Sequence, residues 1–219
     1  MSRESSSPVV RRVLGELGTG LRDRLFGVPE GQNVVYVAGR AVLYVVLLVW
    51  GLRFLFHGLD ADFLSGSFMH VVNLVFHEAG HVVFGLFGEF VGVLGGSLMQ
   101  WLMPLVVFVV FLVQRHPFGG AVGLWWFGQS LMDAAPYIGD ARAGQLMLLG
   151  GVRGSEVEGY HDWERILGEL GWLAYDRALA RAAWGLGAAL IVLALVWGGF
   201  LLVRQFQRRE RTVGPPGAS

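Results

Sequence analysis

The chain has 219 residues, of which 54% are hydrophobic and only 16% charged, with a mean hydropathy of +0.53. Soluble domains carry about 25% charged residues, so this composition excludes a disordered or nucleic-acid-coating protein and suits a lipid bilayer. Its 17 basic residues, all arginine, balance 17 acidic ones, and cysteine is absent; no net field gathers nucleic acid, and disulfides, thiolate catalysis and cysteine-held metals are excluded.

Residues 1–33 read as a polar tail with a short amphipathic stretch around Val9–Phe26. Met1–Glu30 mixes five arginines with four acidic residues and does not read as a signal peptide. Apolar segments long enough to cross about 30 Å of hydrocarbon follow at Val34–Phe56, Phe68–Phe87, Ser97–Val113, Gly119–Pro136 and Ala182–Val203. Long runs without strict alternation favour helices over a barrel. The expected fold is therefore all-α: a polytopic helical membrane protein of five spans, or six. A short Gly-rich segment, Gly88–Gly96, reads as a re-entrant piece. Arginine at both ends favours two cytoplasmic termini. Five spans do not allow that, so a sixth span, a re-entrant hairpin or one end that breaks the rule is needed. The spacings Gly92/Gly96 and Gly119/Gly123 permit close helix contact. A polar region, residues 139–181, interrupts the membrane-embedded part 34–203. Within it Asp162 can cap a helix starting near Trp163, with Ile166, Leu167, Leu170 and Leu173 on one face. Residues 204–219 read as a basic, then Pro/Gly-rich tail.

The second span carries His77-Glu78-Ala79-Gly80-His81. Residues four apart share a helix face, so both imidazoles can reach one zinc ion, with Glu78 beside them to activate a water. Ionisable groups in lipid are costly unless paired, which favours a metal site over a chance match. Zinc then needs a third protein ligand. Asp133 and Asp140 flank Pro136, which interrupts the helix, and His161 is a further candidate. His70 lies seven residues before His77 on the same face, as an outer or hydrogen-bonded histidine. Glu89 and Gln100 are polar residues in apolar surroundings, and Glu89 can line a substrate path.

These residues resemble the site-2 protease group of intramembrane zinc metalloproteases. The resemblance spans residues 68–141: an HExxH within a span, a Gly-rich segment ending Gly95-Gly96, a further span, and an aspartate after a proline. Asp133-Ala134-Ala135-Pro136 stands where that family has Asn-x-x-Pro, and Asp140-Ala141 near its Asp-Gly, with Asp for Asn, Ala for Gly and a spacing one residue shorter. The resemblance implies a membrane metalloendopeptidase with zinc held by His77, His81 and an aspartate, Asp140 by alignment or Asp133. Glu78 is then the general base. Its substrate is a peptide bond in or near a transmembrane segment of a membrane protein or peptide, met with the substrate laid along Gly88–Gly96 as on an edge strand. Partners are that substrate and the bilayer, with no nucleic acid; self-association is left open. The arginine-only basic set suggests a GC-rich genome and hence a bacterial inner membrane. Two other readings stand beside this one: a non-catalytic membrane scaffold or chaperone that keeps the metal site, and a small metal or proton transporter using His70, His77, His81 and Asp133.

Overall fold

The computed structural model describes residues 20–28, 33–157 and 159–213, with side chains to 209. Of the N-terminal amphipathic stretch, 9–19 lie outside the described residues and 20–26 are helical. Seven α-helices follow: α1 Val34–His57, α2 Ala61–Ser65, α3 Phe68–Gly85, α4 Glu89–Val113, α5 Pro117–Gly139, α6 Asp162–Glu169 and α7 Asp176–Val213. No strand occurs among the described residues; an isolated bridge, Met147 to Arg153, closes a hairpin-like loop between α5 and α6.

The helix starts follow from local chemistry. The Asn33, Asp60 and Ser67 side chains accept backbone N–H groups at the first turns of α1, α2 and α3, satisfying donors that a helix leaves unpaired. Pro117 opens α5, where a missing N–H is harmless. Helix α5 is the central element. It packs on α7, α4 and α3 and touches α1, while α1 lies mainly on α7. One core gathers Phe54, Leu64, Trp125, Met132, Ile191 and Leu195 around α5. A second joins Ala134, Ile138 and Ala141 to Trp163, Ile166 and Leu167 of α6.

Among the described residues, three helical stretches are long and apolar enough to cross a membrane: Val34–His57, Glu89–Val113 and Leu173–Arg209. They expose Val42, Val45, Val46 and Val49 on α1, Leu105, Val106, Val109 and Val110 on α4, and Leu193, Val196 and Val203 on α7. Such apolar surface marks contact with lipid or protein. Helices α3 and α5 are less apolar, because α3 carries His70, Asn73, His77, Glu78 and His81 and α5 carries Gln129, Ser130 and Asp133.

Four expectations are corrected here. The glycine run is neither re-entrant nor an edge strand. Gly88 takes a left-handed φ of 114° as cap, and α4 then runs unbroken from Glu89 through Gly96. Its glycines serve helix packing instead. A Cβ on Gly80 would lie 2.1 Å from Gly95 O, so the backbones of α3 and α4 touch where neither residue has a side chain. Gly92 meets Gly85 likewise and Gly123 meets the backbone of Phe108, whereas Gly96 and Gly119, the other members of the spaced pairs, meet the rings of His81 and Phe111. Second, Pro136 does not end its helix; α5 continues to Gly139. Third, α6 begins one residue earlier than expected, with His161 as its cap and Leu170 exposed just past its end. Fourth, α7 absorbs the start of the expected C-terminal tail and reaches Val213; residues 214–219 lie outside the described residues.

Candidate metal centre

On α3, His77 and Gly80 are buried, and Glu78 is exposed on the wall of a cavity. The ligand atoms of His77, Glu78 and His81 lie within 4.8 Å of one another. Each imidazole is held from behind. Nδ1 of His81 donates to the backbone oxygen of Gly92 at 2.9 Å, and Nδ1 of His77 to Gln100 Oε1 at 3.2 Å. An oxygen without hydrogen can only accept, so Nδ1 carries a proton on each ring, and Nε2 is the ring atom turned inward. Both Nε2 atoms face one carboxylate oxygen, Asp162 Oδ2, at 2.9 Å from His77 and 3.3 Å from His81.

This donor set fits zinc. Tetrahedral donors about 2.0–2.1 Å from a zinc ion stand about 3.3 Å from one another, close to these separations. The space between them is kept by a glycine. A Cβ on Gly96 would lie 2.6 Å from His81 Nε2 and 2.7 Å from His77 Nε2.

The carboxylate at the imidazoles is thus Asp162, not Asp140 or Asp133. Asp140 accepts the backbone N–H groups of Gln145 and Leu146, shaping the loop after α5. Asp133 is buried and accepts from His70, Asn73 and Gln100. His161 turns away: its Nδ1 accepts from Glu164 N as cap of α6, and its Nε2 faces Asp140 at 3.5 Å. Burial holds its imidazole below the ordinary value, in keeping with a neutral ring. Because His161 takes the cap, the Asp162 side chain is free to project at the first turn of α6, where the helix dipole favours a carboxylate. Burial would raise the Asp162 pKa, but hydrogen bonds from His77 and His81 outweigh it and hold the group at about 2.

Three contacts place α6 so that Asp162 reaches α3. Tyr137 Oη accepts the Asp162 N–H at 2.9 Å, Trp163 Nε1 donates to Ser97 Oγ at 3.1 Å, and Arg165 pairs with Glu89 at 2.8 Å. Glu89 is therefore a fastening at the start of α4, not a lining of the site. The sequence held one unused signal for the carboxylate at the imidazoles: a His-Asp-Trp opening an amphipathic helix in an otherwise polar loop.

The centre lines a cavity of about 450 Å³ between α2–α3 and the loop before α6. His70, Asp133 and Tyr137 line it too, as do Leu146 to Leu149 and Tyr160 from the loop, and no arginine is among the lining residues. A larger depression of about 910 Å³ between α1 and the α4–α5 turn is an open groove without a ligating cluster, and we assign it no part in the site. Compared with family models, curated proteins and solved structures, the chain matches none.

Proposed function

We propose that this protein is a zinc-dependent intramembrane endopeptidase. Helices α1, α3, α4, α5 and α7 form five spans in a bacterial inner membrane, and the substrate is a peptide bond in or near a transmembrane segment. One observation carries the reading: two inward imidazole nitrogens and a carboxylate oxygen converge beside Glu78, on a cavity lined by α2, α3, α5 and the loop before α6. That arrangement suits hydrolysis better than a relay for transport, because the donors are gathered on one point.

His77, His81 and Asp162 would hold the metal. A zinc ion there supplies Lewis acidity, which lowers the pKa of a bound water to about 7 and polarises a carbonyl. Glu78 is exposed to the cavity and stands one residue from His77. It takes the proton of the attacking water and passes it to the leaving amine. A helical substrate must first unwind, since its carbonyls are already hydrogen-bonded. The leucine-rich wall at Leu146–Leu149 offers apolar contact to the unwound segment while the polar floor on α3 faces its backbone.

The test is purified protein in detergent with a labelled transmembrane peptide. Wild type is expected to carry one zinc per chain and to cleave. Glu78→Gln should keep the zinc and lose at least 100-fold in rate, within the roughly 10²–10⁴-fold range for a general base. Cleavage by Glu78→Gln at the wild-type rate, or wild type without zinc, refutes the proposal.

A further inference from the structure

A second polar cluster lies behind the candidate metal centre, buried between the helices and reaching the cavity wall at Gln100 and Asp133. It comprises Asn73 on α3, Gln100 on α4, and Gln129, Ser130 and Asp133 on α5, all buried. Polar groups at such depth are costly unless each one is paired. Here the pairing also has a direction, which two one-way groups force. The indole of Trp126 can only donate, and does so to Asn73 Oδ1 at 2.9 Å; the Asn73 amide nitrogen therefore donates onward, to Gln129 Oε1 at 2.9 Å and Asp133 Oδ2 at 3.1 Å. The backbone oxygen of Ser130 can only accept. It takes Gln100 Nε2 at 3.3 Å, and the same nitrogen donates to Asp133 Oδ2 at 3.3 Å. The amide of Gln100 thus cannot turn over, and its oxygen faces His77 Nδ1 at 3.2 Å. His70, on the cavity wall, adds its Nδ1 to Asp133 at 3.1 Å.

We propose that Gln100 and Asp133 are positioning residues for the metal ligand His77. Gln100 accepts the Nδ1–H that leaves Nε2 free to ligate, and Asp133 holds the Gln100 amide in the one orientation that can accept. This inference rests on the metal reading above. Asp133 thereby acquires a role two hydrogen bonds from the ion rather than at it. Ligating histidines in general owe their tautomer and ring orientation to such a partner, and its loss costs about 10–100-fold in metal affinity.

The experiment measures zinc affinity of the full chain in detergent by competition with a chromophoric chelator, beside the absorption spectrum of the cobalt-substituted protein. Gln100→Leu is expected to bind zinc 10–100-fold more weakly and to shift the cobalt bands. Gln100→Asn, which withdraws the amide by one methylene, serves if the leucine variant does not fold and should weaken binding likewise. Asp133→Leu should act in the same direction, and Asp133→Asn, whose oxygen still accepts from Gln100, should recover most of the affinity. The double variant Gln100→Leu/Asp133→Leu should be no weaker than Gln100→Leu alone, since Asp133 acts through Gln100. Binding by Gln100→Leu within threefold of wild type, or losses that multiply in the double variant, overturns the inference while leaving the peptidase reading intact. The expected affinity losses in a protein that cleaves nothing would sustain the inference and overturn the peptidase reading. A wild type that binds no zinc overturns both.

Discussion

Gly96→Ala isolates the space at the metal centre. The new Cβ would stand 2.6 Å from Cε1 and Nε2 of His81 and 2.7 Å from Nε2 of His77. Carbon and nitrogen settle at about 3.5 Å or more, so the rings must withdraw by roughly 0.8 Å. Metal–ligand distances tolerate only about 0.2 Å, so at least one imidazole leaves its ligating position. Zinc affinity is expected to fall by at least the roughly 10–100-fold that a displaced ligand environment costs, about 1.4–2.7 kcal/mol. The fold should survive. The obstacles are ends of side chains that can rotate, and alanine is favoured over glycine within a helix by about 0.8–1.0 kcal/mol, which offsets part of the strain. Chelator competition gives the affinity, and thermal unfolding in excess chelator gives the stability. Wild-type zinc affinity in a folded Gly96→Ala protein would show that the inward faces of these rings are not the binding point.

Gly80→Ala should behave differently, because its Cβ meets the backbone oxygen of Gly95 at 2.1 Å. The helices must part, at a cost of about 1–3 kcal/mol or more; an unchanged melting temperature would refute the close crossing of α3 and α4. Asp162→Ala should abolish zinc binding, whereas Asp140→Ala should only weaken it while speeding hydrogen exchange at Gln145 and Leu146, whose N–H groups it accepts. The reverse ranking in metal analysis would return Asp140 to the ligand set. Gly168→Ala meets nothing within 4 Å on α6 and should raise stability by up to about 1 kcal/mol, read from the midpoint of thermal unfolding; a loss of stability would mean that α6 is packed there by something further.

The sequence alone determines the helical, lipid-suited character of this chain and the pairing of His77, Glu78 and His81. Both are local properties: hydropathy sums over consecutive residues, and a four-residue spacing on a helix already places two side chains on one face. Packing depended on facts that single segments do not hold. Glycines at 88–96 read as a re-entrant piece by themselves, but in the fold Gly92, Gly95 and Gly96 lie on a continuous α4 where their missing side chains let α3 approach. The carboxylate facing the two imidazoles is the clearest case. Asp133 and Asp140 are near the right motif in sequence, but both are consumed by hydrogen bonds of their own, and Asp162 arrives from a helix 85 residues after His77 because Tyr137, Ser97 and Glu89 hold α6 across the bundle. Which donors converge on one point is a long-range matter, decided by how helices cross, and no spacing along the chain encodes it.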